Sequence, residues 1–174
     1  HLQNNLNIDI SHRKPTKKSS LEYLWQLIQA EKQLLLVHNT FAGKADIELV
    51  KTRRSMGNTY FVLCPLSNLY IVNQLPPLEL FRDENLNICL GTDSLASNHQ
   101  LSILDEILVL QQNLPEIKLE ELIKWACLNG ARALKMDAQF GSFEKGKKPG
   151  VNLITGIDFK NMKLTENSRV KKLV

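Results

Sequence analysis

No apolar run in this chain approaches the ~18–20 residues that a membrane-spanning helix needs, which argues against a membrane span. The opening "HLQNNLNIDI" has neither the basic start nor the apolar centre of a secretory signal, and it lacks an initiator methionine. The chain therefore reads as cytoplasmic and as a piece of something longer. Cysteine is scarce. Three residues, Cys64, Cys89 and Cys127, all sit in apolar stretches, and no CxxC pair occurs. That excludes a disulfide framework or a cysteine zinc site and predicts buried thiols in a reducing compartment. The net charge of +4 is mild, and the basic clusters "RKPTKK" and "EKGKKPG" carry no interleaved aromatic residues. They read as solvated loops, not as a nucleic-acid surface. What remains is ample for one domain: 174 residues, of which 43% are hydrophobic.

Three short apolar runs, "QLLLVH" (33–38), "TYFVLC" (59–64) and "NICLG" (87–91), lack the alternation of a half-exposed sheet. They predict strands buried on both faces, as in a parallel sheet covered by helices. Helical patterns surround them. Residues 20–31 place Leu21, Leu24, Trp25 and Ile28 on one face, with Ser19 and Glu22 as a capping box. Residues 44–55 hold a weaker pattern anchored on Ile47 and Val50. Residues 99–112 align Leu101, Leu104, Ile107 and Leu108 behind Asn98 as N-cap, and 118–134 align Leu119, Leu122, Ile123, Ala126 and Leu134. This alternation of strand and helix predicts an α/β fold over residues 1–138. Beyond Gln139 the chain turns rich in Gly, Lys and Asn, which predicts a small appended β element over 139–174.

Each strand run ends in residues capable of chemistry: His38-Asn39-Thr40, then Cys64-Pro65-Leu66-Ser67-Asn68, then Thr92-Asp93-Ser94. In parallel α/β folds the loops beyond the strands' C-terminal ends build the active site. A buried carboxylate is costly unless it is paired or holds a metal. A histidine and an aspartate on one rim suit a hydrolytic metal site, where imidazole and carboxylate bind the ion. The ion lowers the pKa of water toward ~7, and a neighbouring carboxylate can take up the proton.

The stretches "LLLVHNT", "CPLSNLYI", "LGTDSLASN", "WACLNGARAL" and "GSFEKGKKPGVNLI" occur in an order and spacing that resemble the amidohydrolase superfamily of metal-dependent hydrolases, which includes chlorohydrolases and aminohydrolases. They extend over most of residues 33–154. The resemblance implies the C-terminal half of a (β/α)8 TIM-type barrel, parallel strands five to eight, beside a small β domain. It also implies a divalent metal, zinc first and iron second. By position, His38 matches the metal-binding histidine that ends the family's sixth strand. Asp93 matches the aspartate of the eighth, which binds metal and moves protons from the attacking water. His1 falls where the family has its strand-five histidine, often written HxxE.

Three positions depart from the family pattern. Asn4 replaces the glutamate of HxxE, and Leu63 stands where many deaminases have a substrate-orienting histidine. Both argue against an ordinary nucleobase-type deaminase. "KKPGVN" replaces the more usual KxAD, a change expected to matter for the small domain only. The HxH pair expected at the end of the family's first strand is absent, and a complete barrel takes ~250 residues. The expectation is thus a fragment of an enzyme that hydrolyses a non-peptide carbon–nitrogen bond of a small molecule, or else a carbon–halogen bond. Its partner is the missing N-terminal half of the barrel or a second copy, because an open apolar sheet edge tends to pair. The fragment alone should be inactive. The alternative is a half-barrel that has lost catalysis and serves as a structural or interaction module. A basic nucleic-acid binder is a third reading, resting only on the loop lysines.

Overall fold

The three apolar runs pair as one parallel sheet, β1 (Leu34–Val37), β2 (Thr59–Leu63) and β3 (Ile88–Leu90), in the order β1–β2–β3. The computed structural model describes residues 7–12, 14, 16–28 and 32–174. Leu34 lies opposite Thr59 and Val37 opposite Val62, while Phe61 lies opposite Ile88 and Leu63 opposite Leu90. The ladder extends one step past each outer strand. His38 N–H donates to the Val62 carbonyl (2.9 Å) and Gly91 N–H to that of Leu63 (2.8 Å). Both outer strands are therefore pinned to the C-terminal end of β2.

Helices connect the strands. In chain order they are α1 (Ser20–Leu24), α2 (Lys44–Arg53), α3 (Pro65–Val72), α4 (Leu78–Asp83), α5 (Ile103–Asn113) and α6 (Leu119–Lys124). The last continues through a π-helical turn, Trp125–Asn129, into α7 (Gly130–Ala133). Strand side chains alternate between two faces. Leu36, Phe61, Leu63, Ile88 and Leu90 share one core with the apolar stripes of α2, α4, α5 and α6. On the other face Tyr60 and Cys89 form a small cluster with Ala133, and β1 departs from the expected double burial. Leu35 is 40% exposed and Val37 48% exposed. The main helices cover one face of the sheet; on the opposite face α7 packs through Ala133 against β2 and β3, and β1 is bare.

Other expectations shift for local reasons. The helix from Ser20 keeps its cap, since Ser19 Oγ accepts from Glu22 N–H (3.0 Å), but it tightens into a 3₁₀ turn at Trp25–Leu27. Residues 29–31 lie outside the described chain. Asn98 does not cap α5. Ser102 does, its Oγ accepting from Asp105 N–H (3.3 Å), because the Asn98 amide is drawn into the buried network described below. Cys127 is exposed, not buried, whereas Cys64 and Cys89 are buried. The π turn carries an extra residue, which rotates the helical stripe by about one residue's angle, ~100°. Leu134 accordingly falls out of the core, at 64% exposure. Asn129 turns inward and donates to the Ile88 carbonyl (2.7 Å).

The C-terminal segment is a hairpin of β4 (Asn152–Asp158) and β5 (Lys163–Lys172). A bulge between Thr155 and Ile157 is turned by Gly156 at φ +70°, where a Cβ would lie 2.5 Å from the Asn167 carbonyl oxygen. The hairpin is fastened to α5: Leu164 is buried in the main core, and its N–H donates to Gln111 Oε1 (2.9 Å).

Candidate functional site

Two residues at the rim of the sheet adopt left-handed backbone, His38 at φ +67° after β1 and Asp93 at φ +57° after β3. Few L residues accept this region, although His, Asn and Asp do so more often than most. The consequence is convergence. The strand ends flank β2, and the two side chains meet above it with His38 Nε2 3.5 Å from Asp93 Oδ2, each about one-third exposed.

The N-terminal turn of α3 grips both. Pro65 opens that helix at a position suited to proline, so "CPLSN" becomes a helix start and not the loop expected. Asn68 Oδ1 accepts from His38 Nδ1–H (2.9 Å), and Asn68 Nδ2 donates to Thr40 Oγ1. Ser67 Oγ and Ser97 Oγ each lie 2.9 Å from Asp93 Oδ2 and 2.9 Å from one another. Ser94 N–H donates to Asp93 Oδ1 (2.9 Å). These donors, Ser67 first and Ser97 next, hold the Asp93 carboxyl below the usual carboxylate range. Beneath the rim, burial pushes the Cys64 thiol up to about 12, with the charges of Asp93 and Glu106 adding to it. Such a thiol is no nucleophile at neutral pH.

With Nδ1–H donating to Asn68, a neutral His38 turns the lone pair of Nε2 toward an ionised carboxylate. Two acceptors facing each other at this distance need a proton or a cation between them. An imidazole nitrogen and a carboxylate oxygen are also the donor types that zinc and similar divalent ions take. The pair fits such an ion. Among the described residues, no cluster of three or more His, Cys, Asp or Glu side chains is arranged to hold a metal. His1, expected as a further ligand, lies outside the described residues, as does Asn4. Leu63 is wholly buried in the core shared with the helices, so that position presents nothing to the rim. Beside His38 a cleft of about 550 Å³ opens, lined by Val37, Thr40, Phe41, Asn68 and Ile71 among others.

The structure thus brings His38 and Asp93 together and adds Ser67, Asn68, Ser97 and Glu106 around them. Ser67 and Asn68 were visible in sequence as polar residues after a strand, yet not as the grip on both partners. Glu106 gave no signal, since a carboxylate in a helix's first turn ordinarily faces solvent.

A model of the amidohydrolase family matches residues 1–174. The chain is 34% identical over 134 residues to a 5-methylthioadenosine/S-adenosylhomocysteine deaminase of Saccharophagus degradans, an alignment covering 73% of this chain and 28% of that protein. It is 30% identical over 146 residues to an adenosine deaminase of Helicobacter pylori, covering 82% of this chain and 34% of the relative. Among solved structures, a zinc-bound adenosine deaminase from Xanthomonas campestris superposes with a TM-score of 0.66 at 26% identity, over 83% of this chain and 34% of the other. The aminofutalosine deaminase of Helicobacter pylori in complex with methylthio-coformycin gives 0.62 at 28% identity, over 86% and 35%. The chain spans about a third of the length of the curated relatives it matches. With this sequence match, these structural likenesses and a histidine–aspartate pair on the rim of a parallel sheet, the chain belongs to the amidohydrolase family.

Proposed function

We propose that this chain is the metal-binding C-terminal half of a (β/α)8 barrel that deaminates an aminated heterocycle of the adenine-nucleoside class. The observation that carries the reading is the His38–Asp93 pair, an imidazole nitrogen and a carboxylate oxygen 3.5 Å apart on one rim. His38 and Asp93, together with His1, would hold a divalent metal, zinc before iron. When bound, the metal supplies a Lewis acid that activates water at neutral pH. Asn68 fixes the His38 ring so that Nε2 faces the site. Asp93, held in place by Ser67 and Ser97, would take a proton of the attacking water and deliver it to the departing nitrogen. A carbon–oxygen bond forms, the carbon–nitrogen bond breaks, and ammonia leaves. The cleft beside His38 has the size of a small-molecule site, and its mixed apolar and polar lining suits a nucleoside.

The barrel reading is supported by consecutive parallel strands packed on helices; the described residues hold three such strands, one fewer than the four expected. The bare face at Leu35 and Val37 would line the barrel interior and be covered by the remaining strands or by a second copy. One observation favours a second reading, an inactive structural module: buried Leu63 leaves no substrate-orienting histidine after β2. The test is ammonia release by the full-length protein, carrying one zinc per chain, from adenosine and from 5′-methylthioadenosine. Zinc-dependent release from either supports deamination. Silence from both, with zinc stoichiometrically bound, overturns it.

A further inference from the structure

We infer that Glu106 is a positioning residue of this site, its buried carboxylate clamping the two segments that hold Asp93 against His38. The inference rests on the metal-site reading above. Glu106 lies in the first turn of α5 with no exposed surface. Its Oε2 accepts from the N–H of Leu66 (2.8 Å), which directly precedes Ser67 and Asn68 in α3. Its Oε1 accepts from Asn98 Nδ2 (2.8 Å), and that same amide nitrogen donates to the Thr92 carbonyl (2.8 Å). Thr92 precedes Asp93, and Asn98 follows Ser97. One carboxylate therefore ties the start of α3 to both ends of the loop at 92–98. The three side chains that grip the pair, Ser67, Asn68 and Ser97, each lie within two residues of a group in this clamp.

The choice of residue points to the site and not to the fold. A carboxylate in the core is costly, and a buried polar group replaced together with its partners by apolar side chains commonly leaves stability as high or higher. Burial raises the Glu106 pKa even though Leu66 and Asn98 donate to it. What a carboxylate provides is two acceptors at fixed separation on one rigid plane, whereas glutamine has one acceptor and one donor group. That geometry meets two N–H donors from segments far apart in sequence. Because the helix is anchored in the core through Ile107 and Leu110, the clamp transmits the rigidity of the core to the rim.

The test is Glu106→Gln in the full-length protein, with zinc affinity read by competition with a chromophoric chelator. Groups that hold metal ligands in place typically affect affinity about 10–100-fold, and a loss of that order is expected while cooperative unfolding persists. Amide exchange should quicken across residues 92–98. Combined with Asp93→Asn, the two losses should not add, because the clamp works through Asp93. Asn98→Ala opens the clamp on the loop side alone and should give the same pattern if Glu106→Gln does not fold. Unchanged zinc affinity in either folded variant, or additive losses in the cycle, overturns the inference. A parent protein that binds no zinc overturns the metal-site reading itself, and the inference with it.

Discussion

Replacing Asp93 by asparagine in the full-length protein distinguishes a proton carrier from a turn residue. Asparagine accepts φ +57° as readily as aspartate, and its oxygen can still receive the N–H of Ser94. Its NH2 group meets the hydroxyls of Ser67 and Ser97, which can rotate to accept. What the fold loses is the charge on three hydrogen bonds, those from Ser67, Ser97 and the Ser94 N–H. Bonds to charged groups contribute about 1.5–3 kcal/mol each against about 0.5–1.5 for neutral ones. Solvent at this one-third-exposed carboxylate screens part of the difference, leaving a net loss of about 1 kcal/mol. That corresponds to a fall of about 2–4 °C in Tm for a protein of 150–250 residues, and to less for a larger one. Activity should fall much further. The amide takes up no proton and brings no charge to the metal, and general-base catalysis contributes about 10²–10⁴-fold. The assay is steady-state ammonia release with zinc content measured on the same sample. Turnover within a few-fold of the parent would refute the proton-carrier role and leave Asp93 a turn residue.

Ser67→Ala should destabilise by about 1 kcal/mol at pH 7. A depressed carboxyl pKa contributes stability only while the group is ionised, so this difference should shrink as the pH falls below about 4. Urea unfolding at pH 7 and pH 3 checks it; an equal loss at both pH values contradicts the assignment. In the native protein Cys127 should react with a thiol reagent while buried Cys64 and Cys89, with pKa values pushed up to about 12 and about 11, stay protected. Mass spectrometry after brief labelling decides, and modification of Cys64 first would contradict the burial. Gly156→Ala forces a Cβ against the Asn167 carbonyl at positive φ and should destabilise by about 1–3 kcal/mol. A melting temperature equal to the parent's would show that the bulge relaxes freely. The isolated 174-residue chain should bind zinc weakly and release no ammonia, and measurable turnover by it would contradict the half-barrel reading.

The strands were legible as short runs of little but apolar residues, "LLLV", "TYFVL" and "ICL", whereas the bare face of β1 was not, since Leu35 and Val37 are as apolar as the buried Leu36. His38 and Asp93 were legible for the converse reason, as polar residues that end such runs abruptly. Their mutual distance was not, because it depends on two positive φ angles that residue type only weakly favours. The grip of α3 stayed hidden while "CPLSN" read as a loop. Glu106 and Asn98 have polar side chains whose partners lie 40 and 8 residues away, and no local pattern encodes such pairings. Leu134 was misplaced because a π turn breaks the 3.6-residue period on which the stripe was drawn, and Cys127 because apolar sequence neighbours do not decide which side of a helix a residue faces.

Whether His38 and Asp93 share one divalent ion is decided by X-ray absorption at the zinc edge of the full-length protein. Shared binding gives one zinc per chain with nitrogen and oxygen neighbours at about 2.0–2.2 Å. It also entails loss of an imidazole shell in His38→Ala and of a carboxylate oxygen in Asp93→Ala. Zinc bound with the same spectrum and stoichiometry in both variants would contradict it.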